Sequence, residues 1–221
     1  PVLNPKVGEL KIDKHNRFNN YNVADGRYEQ RTIWARSIID YRLNDNTTLK
    51  NTLYHLDSQR DYRNLETYQY NADNSAVNRS TAYQVRHQGE QNGNQFELRH
   101  DDSMFGLSTT WSGGFEYKVN STTNTPWNVP GNSTVNPDNF DPGHFYDIPR
   151  TREKFGKDKT NEVTTKAMFV ENRLGLTDKL SLLTGLRYDA IDLDVTNHRA
   201  ITATNPRHFK RSWEPVTGRV G

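Results

Sequence analysis

The sequence has no cysteine, a small apolar fraction and no long apolar run, and each absence excludes a class of protein. Without cysteine among its 221 residues, a disulfide framework and thiolate metal sites or nucleophiles are excluded. No window of about 18 apolar residues occurs, which excludes a transmembrane helix. The N-terminus has no signal-peptide pattern, so we expect the chain to begin after any targeting segment. Hydrophobic residues make up only 32% of the chain, which is too few for an ordinary soluble core.

Aromatic residues and balanced charge are what the composition does offer. The chain carries 11 Tyr, 9 Phe and 4 Trp, whereas disordered chains are poor in aromatic residues. With 29 Lys and Arg against 27 Asp and Glu, the charge is too balanced to indicate a nucleic acid partner. Aromatic residues without aliphatic bulk indicate β-structure whose two faces differ.

Alternation with a period of two predicts several β-hairpins. Residues 33–43 alternate an apolar with a more polar face, residues 44–47 (Asn-Asp-Asn-Thr) favour a tight turn, and a second extended run begins at Leu49. The same pattern recurs over residues 168–188, where residues 177–179 form the short turn. A third apolar and aromatic run covers Trp111 to Val119.

Long polar connections separate these hairpins, near residues 64–77, 120–160 and 196–212. The middle one is too long for a compact soluble domain. Tight turns that alternate with long loops are typical of an outer-membrane barrel, which has short periplasmic turns and long extracellular loops. We therefore expect the turns at 44–46 and 177–179 on the periplasmic side and residues 120–160 outside.

The dipeptide Asn92-Gly93 complicates this alternation, because Asn-Gly is the strongest short hairpin signal. A turn there would move residues 120–160 to the side of the short turns. We therefore predict one long strand over residues 79–102. Its apolar parity changes along its length, which predicts a bulge near Gly89 or Gly93.

The resulting fold class is all-β, with residues 1–221 forming antiparallel strands of a transmembrane β-barrel and residues 1–30 a polar loop or an unresolved hairpin. Seven extended segments are predicted, near 31–43, 48–62, 79–102, 108–119, 163–176, 180–195 and 214–221. Bacterial single-chain barrels have an even number of strands, eight or more. The other strands are therefore expected elsewhere in a larger polypeptide.

Residues 163–189 (VTTKAMFVENRLGLTDKLSLLTGLRYD) resemble a recurrent hairpin of TonB-dependent ferric-siderophore receptors, in which a Leu-Thr-Asp turn precedes a Leu-Ser-Leu…Gly-Leu-Arg-Tyr-Asp strand. Weaker matches in the same order cover residues 41–51, 111–117 and 216–221. The resemblance implies a bacterial outer-membrane barrel of about 22 strands with a plugged lumen. It also implies a ferric siderophore as ligand and energy from the TonB complex, transmitted through a plug region that this sequence lacks.

No catalytic residue, metal site or cofactor is predicted, so the chain is not expected to be an enzyme. The seven histidines lack metal-ligand spacing, and no Gly-x-Ser-x-Gly, P-loop or dinucleotide-binding motif occurs. The acidic groups at residues 100–102 and 192–194 lack the pattern of a calcium loop. We interpret them as charges at strand ends.

The long loops are the predicted ligand-binding regions, because binding residues concentrate on loops that a rigid scaffold presents. Aromatic and cationic side chains suit an anionic aromatic or carboxylate-bearing iron chelate. The candidates are Trp127, His144, Phe145, Tyr146, Arg150 and Arg152, with Tyr68 and Tyr70 in a second loop. The alternative interpretation is that these are solvated loops whose basic residues meet lipopolysaccharide phosphates, while the strands face the lipid bilayer.

Two other functions remain open at this point. A porin-like or adhesin-like barrel would have no high-affinity iron-chelate ligand. A plug upstream of the barrel would distinguish a siderophore receptor from such a barrel. A soluble lectin-like β module would fold in buffer without detergent. We expect aggregation instead, because open sheet edges and apolar strand faces would lack partners.

Overall fold

A computed structural model describes residues 2–3, 11–129, 132–151 and 156–221, with the side chains of Val2 and residues 127–129 left out. Within these residues no helix is long and apolar enough to cross a membrane. The only helical element described there is a short 3₁₀ turn, Phe145–Asp147. The strands are β1 Val2–Leu3, β2 Lys11–Ile12, β3 Arg27–Asn44, β4 Thr47–Tyr70, β5 Val77–Met104, β6 Leu107–Val129, β7 Ser133–Val135, β8 Lys159–Gly175, β9 Ser181–Asn197, β10 His208–Trp213 and β11 Val216–Val220.

The long strands pair in chain order, which confirms the predicted antiparallel all-β fold. The order in the main sheet is β3, β4, β5, β6, β8, β9 and β10, while β11 also pairs with β9 and β7 pairs with β5. Strands β10 and β11 together run along β9 and are separated by Glu214 and Pro215. Counted as one broken strand, they complete the seven predicted segments. All residues of β3, β10 and β11 are exposed, so the sheet has two open edges.

Strand β5 is continuous past the Asn92-Gly93 dipeptide, which confirms the prediction of one long strand. The glycine has a packing role here. A Cβ atom at Gly93 would lie 2.2 Å from Cζ of Tyr54 on the neighbouring strand, so any larger residue would collide with that ring. Among non-glycine residues of β5, Thr81 has left-handed backbone, with φ 59°. The bulge near Gly89 or Gly93 stays a prediction.

Short turns alternate with longer connections along the chain, as predicted. The short ones are residues 45–46, 105–106 and 176–180, and the longer ones are residues 71–76, 130–158 and 198–207. Phe105 and Gly106 both have positive φ, 55° and 76°, as in a type I′ hairpin turn. The sequence does not predict this turn, because the first central position of a type I′ turn favours Asn, Asp or Gly and is occupied here by Phe105.

The strands extend further than the sequence predicted. Residues 64–70 continue β4, residues 120–129 continue β6, and residues 208–212 belong to β10, although all were expected in loops. Main-chain hydrogen bonds to a neighbouring strand extend a sheet whether or not the side chains alternate in polarity. At the N-terminal end, β1 and β2 form a separate two-stranded sheet, and β3 already begins at Arg27.

The chain divides into two compact units. The loop unit comprises residues 1–31, 59–87 and 124–158, and the strand unit comprises residues 32–58, 88–123 and 159–221. Among the described side chains, every buried apolar residue except Ala167 belongs to the loop unit. Most exposed large apolar side chains belong to the strand unit, and the exceptions in the loop unit are Ile12, Phe18, Tyr28 and Tyr68. The strand unit therefore has the inverse of a soluble domain's distribution.

One face of the strand unit is a continuous apolar band. In the pairing of β8 with β9, Met168 lies opposite Tyr188 and Val170 lies opposite Leu186, and directly opposed residues share a face. Val216 on β11 also lies opposite Tyr188. All of these side chains are exposed, which suits contact with lipid rather than water.

The other face of the strand unit is polar, and Glu116 is the centre of a hydrogen-bonded cluster. Arg187 lies between Leu186 and Tyr188 in sequence and so points to the opposite side of β9. Its Nη2 donates to Glu116 Oε2 at 2.9 Å, and it also pairs with Asp189. The hydroxyl of Tyr54 donates to Glu116 Oε1 at 3.1 Å. An apolar face opposite a satisfied polar face is the pattern of a membrane barrel strand.

Candidate functional site

The loop unit contains a hydrophobic core built from three stretches that are distant in sequence. Phe145, with no exposed surface, and Ile148 pack against Leu65 of β4, Ala82 of β5 and Val23. We call residues 132–151 the packed segment. Its two apolar side chains fill the space over the β4–β5 pair, so the segment lies against the sheet instead of extending into solvent.

The local sequence shapes the turn that carries Phe145. The backbone N–H of His144 donates to Asp147 Oδ2 at 3.1 Å, and the backbone N–H of Asp147 donates to the carbonyl of His144 at 3.1 Å. The hydroxyl of Thr151 lies within hydrogen-bond distance of the carbonyls of Phe145 and Ile148, at 2.7 and 2.6 Å. These bonds satisfy buried main-chain groups that a loop would otherwise leave unpaired.

Asp25 connects the packed segment to strand β4. Its Oδ1 accepts the backbone N–H of Phe145 at 2.7 Å, and its Oδ2 accepts Arg63 Nη2 at 2.9 Å. The Arg63 guanidinium also lies 5.0 Å from the ring centroid of Tyr146, which is cation–π distance. One carboxylate thus holds both the turn and the arginine that stacks on it.

Arg79 makes a second connection and is only 5% exposed. Its Nε donates to Ser133 Oγ at 2.7 Å, and its Nη1 donates to the carbonyls of Pro142 at 2.8 Å and Tyr21 at 3.2 Å. Burial lowers the pKa of Arg79 from its usual value. Neutral acceptors on three sides offset the cost of burying this cation.

The stretch around residues 13–21 covers the far end of the packed segment. Tyr21 donates through its hydroxyl to the carbonyl of Pro137 at 3.1 Å, and Asn16 Nδ2 donates to Asp138 Oδ1 at 2.7 Å. The hydroxyl of Tyr70 donates to Asp13 Oδ2 at 2.6 Å. This bond is the main reason why the pKa of Asp13 falls to about 2.

The structure separates the predicted ligand-binding residues into exposed and buried groups. His144 and Arg150 are exposed, and Tyr146 is half-buried, with its hydroxyl accepting a bond from Gln84 Nε2 at 3.1 Å. Phe145 and Tyr70 are buried, so they support the site from within and do not present their rings to a ligand here. Tyr68 is partly exposed, but its hydroxyl donates to the carbonyl of Leu65 at 2.6 Å. Arg152 and the side chain of Trp127 lie outside the described residues.

A row of tyrosines across β3, β4 and β5 was not predicted as a group. The rings of Tyr28 and Tyr62 are 6.1 Å apart and those of Tyr62 and Tyr83 are 5.9 Å apart, both edge to face. Burial and a hydrogen bond to Glu66 raise the pKa of Tyr62 to about 12. Only strand pairing brings these three residues together, so spacing in the sequence does not reveal them.

Asp61 and Arg86 form the best-defined ion pair of the loop unit. Arg86 donates to both carboxylate oxygens of Asp61, at 2.6 and 3.0 Å, and the Asp61 side chain is 11% exposed. The hydrogen bond from Arg86 is the main reason why the pKa of Asp61 is lowered. A carboxylate with a lowered pKa stabilises the fold above its unfolded-state value near 3.8, and that contribution is lost as the pH falls through the lowered pKa.

The variant Asp61→Asn is therefore expected to destabilise the loop unit most at neutral pH and least in acid. The free energy of unfolding, measured by urea titration of tyrosine fluorescence in the full-length receptor, should converge with that of wild type as the pH falls through the lowered pKa of Asp61. At pH 7 the loss should be about 1.5 to 3 kcal/mol, because the hydrogen bonds from Arg86 to a charged acceptor are lost. A difference that stays constant from pH 7 to pH 2 would show that the charge of Asp61 contributes nothing.

No group of three or more histidine, aspartate or glutamate side chains that could hold a metal ion occurs among the described residues. The arrangement offers aromatic rings, hydroxyls and guanidinium groups, which can stack on and hydrogen-bond a bulky polar ligand.

An open antiparallel sheet with one exposed apolar band and a separately cored loop unit is the pattern of part of an outer-membrane-type barrel. The family model described as "TonB dependent receptor-like, beta-barrel" matches residues 4–221. The chain therefore belongs to the TonB-dependent receptor family and forms part of its β-barrel. Members of this family are outer-membrane proteins of Gram-negative bacteria.

Solved structures share the fold at low sequence identity. BauA, the ferric preacinetobactin receptor of Acinetobacter baumannii, is 12% identical with a TM-score of 0.70, covering 88% of this chain and 28% of its own. The siderophore receptor PiuA of the same organism is 17% identical with a TM-score of 0.70, covering 90% and 31%. The ferric-catecholate import receptor Fiu of E. coli K12 is 18% identical with a TM-score of 0.68, covering 94% and 31%.

This chain spans about a third or less of the length of those receptors, and at such identities the likeness shows the fold alone. No curated protein matches the chain by sequence. The family and its structural relatives are receptors rather than enzymes, which confirms the prediction that the chain is not an enzyme.

Proposed function

We propose that this chain is part of an outer-membrane receptor that captures a ferric siderophore and imports it with energy from TonB. The observation that carries this proposal is the loop unit itself. It has its own core and presents His144, Tyr146 and Arg150 at the surface of a segment packed on the sheet. Membership of the TonB-dependent receptor family supports the TonB step, which would act through a plug outside this chain.

The chemistry of the loop unit favours a bulky anionic chelate over a small solute. Guanidinium groups pair with carboxylate or catecholate oxygens, and tyrosine rings stack on planar ligand groups. A ferric siderophore offers both kinds of group. The lipid bilayer and lipopolysaccharide are proposed as further partners of the exposed apolar and basic side chains.

The proposal is tested by uptake of radioactive iron into cells that depend on the full-length receptor, with catecholate, hydroxamate and citrate-type chelates as alternatives. One class should support uptake that disappears when TonB is deleted. If the purified receptor bound none of these chelates, the porin-like or adhesin-like alternative would replace the proposal.

The exposed residues of the packed segment are expected to set ligand affinity as a group. The triple variant His144→Ala, Tyr146→Ala, Arg150→Ala should raise the Kd of the transported chelate about tenfold, because about 1.4 kcal/mol of stacking and charge-assisted bonding is lost. Deleting residues 127–159 should abolish binding, but it would also uncover Leu65 and Ala82. The triple variant therefore isolates recognition better.

The matched control is Lys14→Ala combined with Arg17→Ala, two exposed cations of the same unit outside the packed segment. Chelate affinity, measured by quenching of intrinsic fluorescence, should not change in the control. An unchanged Kd in the triple variant would exclude these three side chains from the binding site.

A further inference from the structure

The packed segment is attached to the sheet along its whole described length. Strand β7 pairs with β5 through Val77–Val135, Asn78–Thr134 and Arg79–Ser133. Beyond β7, Arg79 reaches the carbonyl of Pro142, and after that Phe145 enters the core. From residue 133 to residue 148, the segment is thus held first by main-chain pairing, then by the buried guanidinium of Arg79, and then by the buried side chains of Phe145 and Ile148.

Arg79 has the geometry to fix the position of this segment. Its Nε donates to Ser133 of β7. Its Nη1 donates to the carbonyl of Pro142 in the packed segment and to the carbonyl of Tyr21. A lysine at this position would have a single charged nitrogen in place of the planar guanidinium, whose N–H groups donate in several directions. Releasing the segment would remove the Ser133 and Pro142 acceptors and leave the carbonyl of Tyr21, which is costly for a buried guanidinium.

We propose that the packed segment stays fixed on the sheet throughout ligand capture and import, and that Arg79 is the positioning residue that keeps His144 and Tyr146 in place. This inference rests on the proposed function. It makes the segment a permanent part of the binding surface. Selection of the ligand would then depend on a preformed surface, and closure of this segment over the ligand would not be required.

This chain contains no cysteine, so two cysteines introduced into it have no competing partner within the chain. Asn78 and Thr134 are exposed cross-strand partners whose side chains are hydrogen-bonded at 3.2 Å, and opposed residues have Cβ atoms about 5 Å apart, close to disulfide range. In the full-length receptor, the pair Asn78→Cys and Thr134→Cys should import the chelate at the wild-type rate, whether oxidised or reduced. A tenfold loss on oxidation that a reductant restores would overturn the proposal.

The disulfide can hold the segment in place without Arg79, so rescue of an Arg79 variant by the disulfide distinguishes a positioning role of Arg79 from a merely structural one. Arg79→Gln should weaken chelate binding about tenfold, and combining it with the oxidised disulfide should restore affinity to within about threefold of wild type. Reduction of the disulfide should remove the rescue. Arg17→Gln, at an exposed arginine of the same unit, should have no effect. Failure of the disulfide to rescue Arg79→Gln would show that Arg79 does not act by holding the segment.

Hydrogen exchange tests the fixed segment without any ligand. The amides of Phe145 and Thr151 donate to Asp25 and to the carbonyl of Ile148, so both should exchange at least a hundredfold more slowly than an unprotected amide in the chelate-free wild-type receptor. Fast exchange at both would overturn the inference. If no chelate is imported by wild type, the proposed function fails, whereas the exchange result still decides whether the segment is fixed.

Discussion

Changing Leu186 to arginine should sharply reduce the amount of folded receptor in the outer membrane. Leu186 is 60% exposed in the apolar band of the strand unit and lies opposite Val170. An arginine on the lipid face near the middle of a bilayer costs about 2 to 4 kcal/mol. The measurement is the fraction of heat-modifiable, protease-resistant barrel in outer-membrane preparations of cells that express the full-length protein.

The matched control places the same charge on the other face of the sheet. Ser112 lies four residues before Glu116 on β6 and so shares its polar face, and Ser112→Arg adds a cation to a groove lined by Glu97, Glu171, Arg187 and Arg219. This variant should insert nearly as well as wild type. Equal yields of folded barrel for Leu186→Arg and wild type would mean that the band does not face lipid.

Replacing Phe145 with alanine should destabilise the loop unit by about 3 to 5 kcal/mol, the usual cost of removing a fully buried aromatic ring. The ring fills the space among Leu65, Ala82, Val23 and Ile148. The paired strands of the main sheet cannot move inward to close the cavity that alanine would leave. The predicted result is lower urea resistance of the loop unit, seen by tyrosine fluorescence, while the barrel stays protease-resistant.

Phe18 provides the control for this experiment, since it belongs to the same unit but is 83% exposed. Phe18→Ala should change the free energy of unfolding by less than about 0.5 kcal/mol. Similar losses in the two variants would contradict the packing of Phe145 in the core and would return it to the group of residues available to a ligand.

The barrel strands could be predicted because alternation is a local property. On a strand with one lipid-facing side, most alternate residues are apolar, and residues 33–43 and 180–188 follow this pattern except at Ser37 and Thr184. The prediction of one strand across Asn92-Gly93 also succeeded, because the alternation of short and long connections outweighed a local turn signal. The strand ends were wrong where the chain leaves this constraint, as at residues 64–70.

The sequence did not show which candidate residues are exposed, because composition does not distinguish a buried anchor from an exposed side chain. Phe145 and Tyr146 are neighbours and were predicted alike, yet Phe145 is buried and Tyr146 is half-buried. Asp25, Arg79 and Gln84 were not predicted at all. Nothing in their immediate sequence marks them, since their partners lie 38 or more residues away.

The sequence by itself determined the fold class, the order of short and long connections and the resemblance to a receptor family, since each depends on patterns within one strand or hairpin. The tertiary structure alone decided which loop side chains are exposed and which are buried. Burial in the loop unit results when residues 13–25, 61–85 and 132–151 pack together. That meeting depends on strand pairing, which no local pattern specifies.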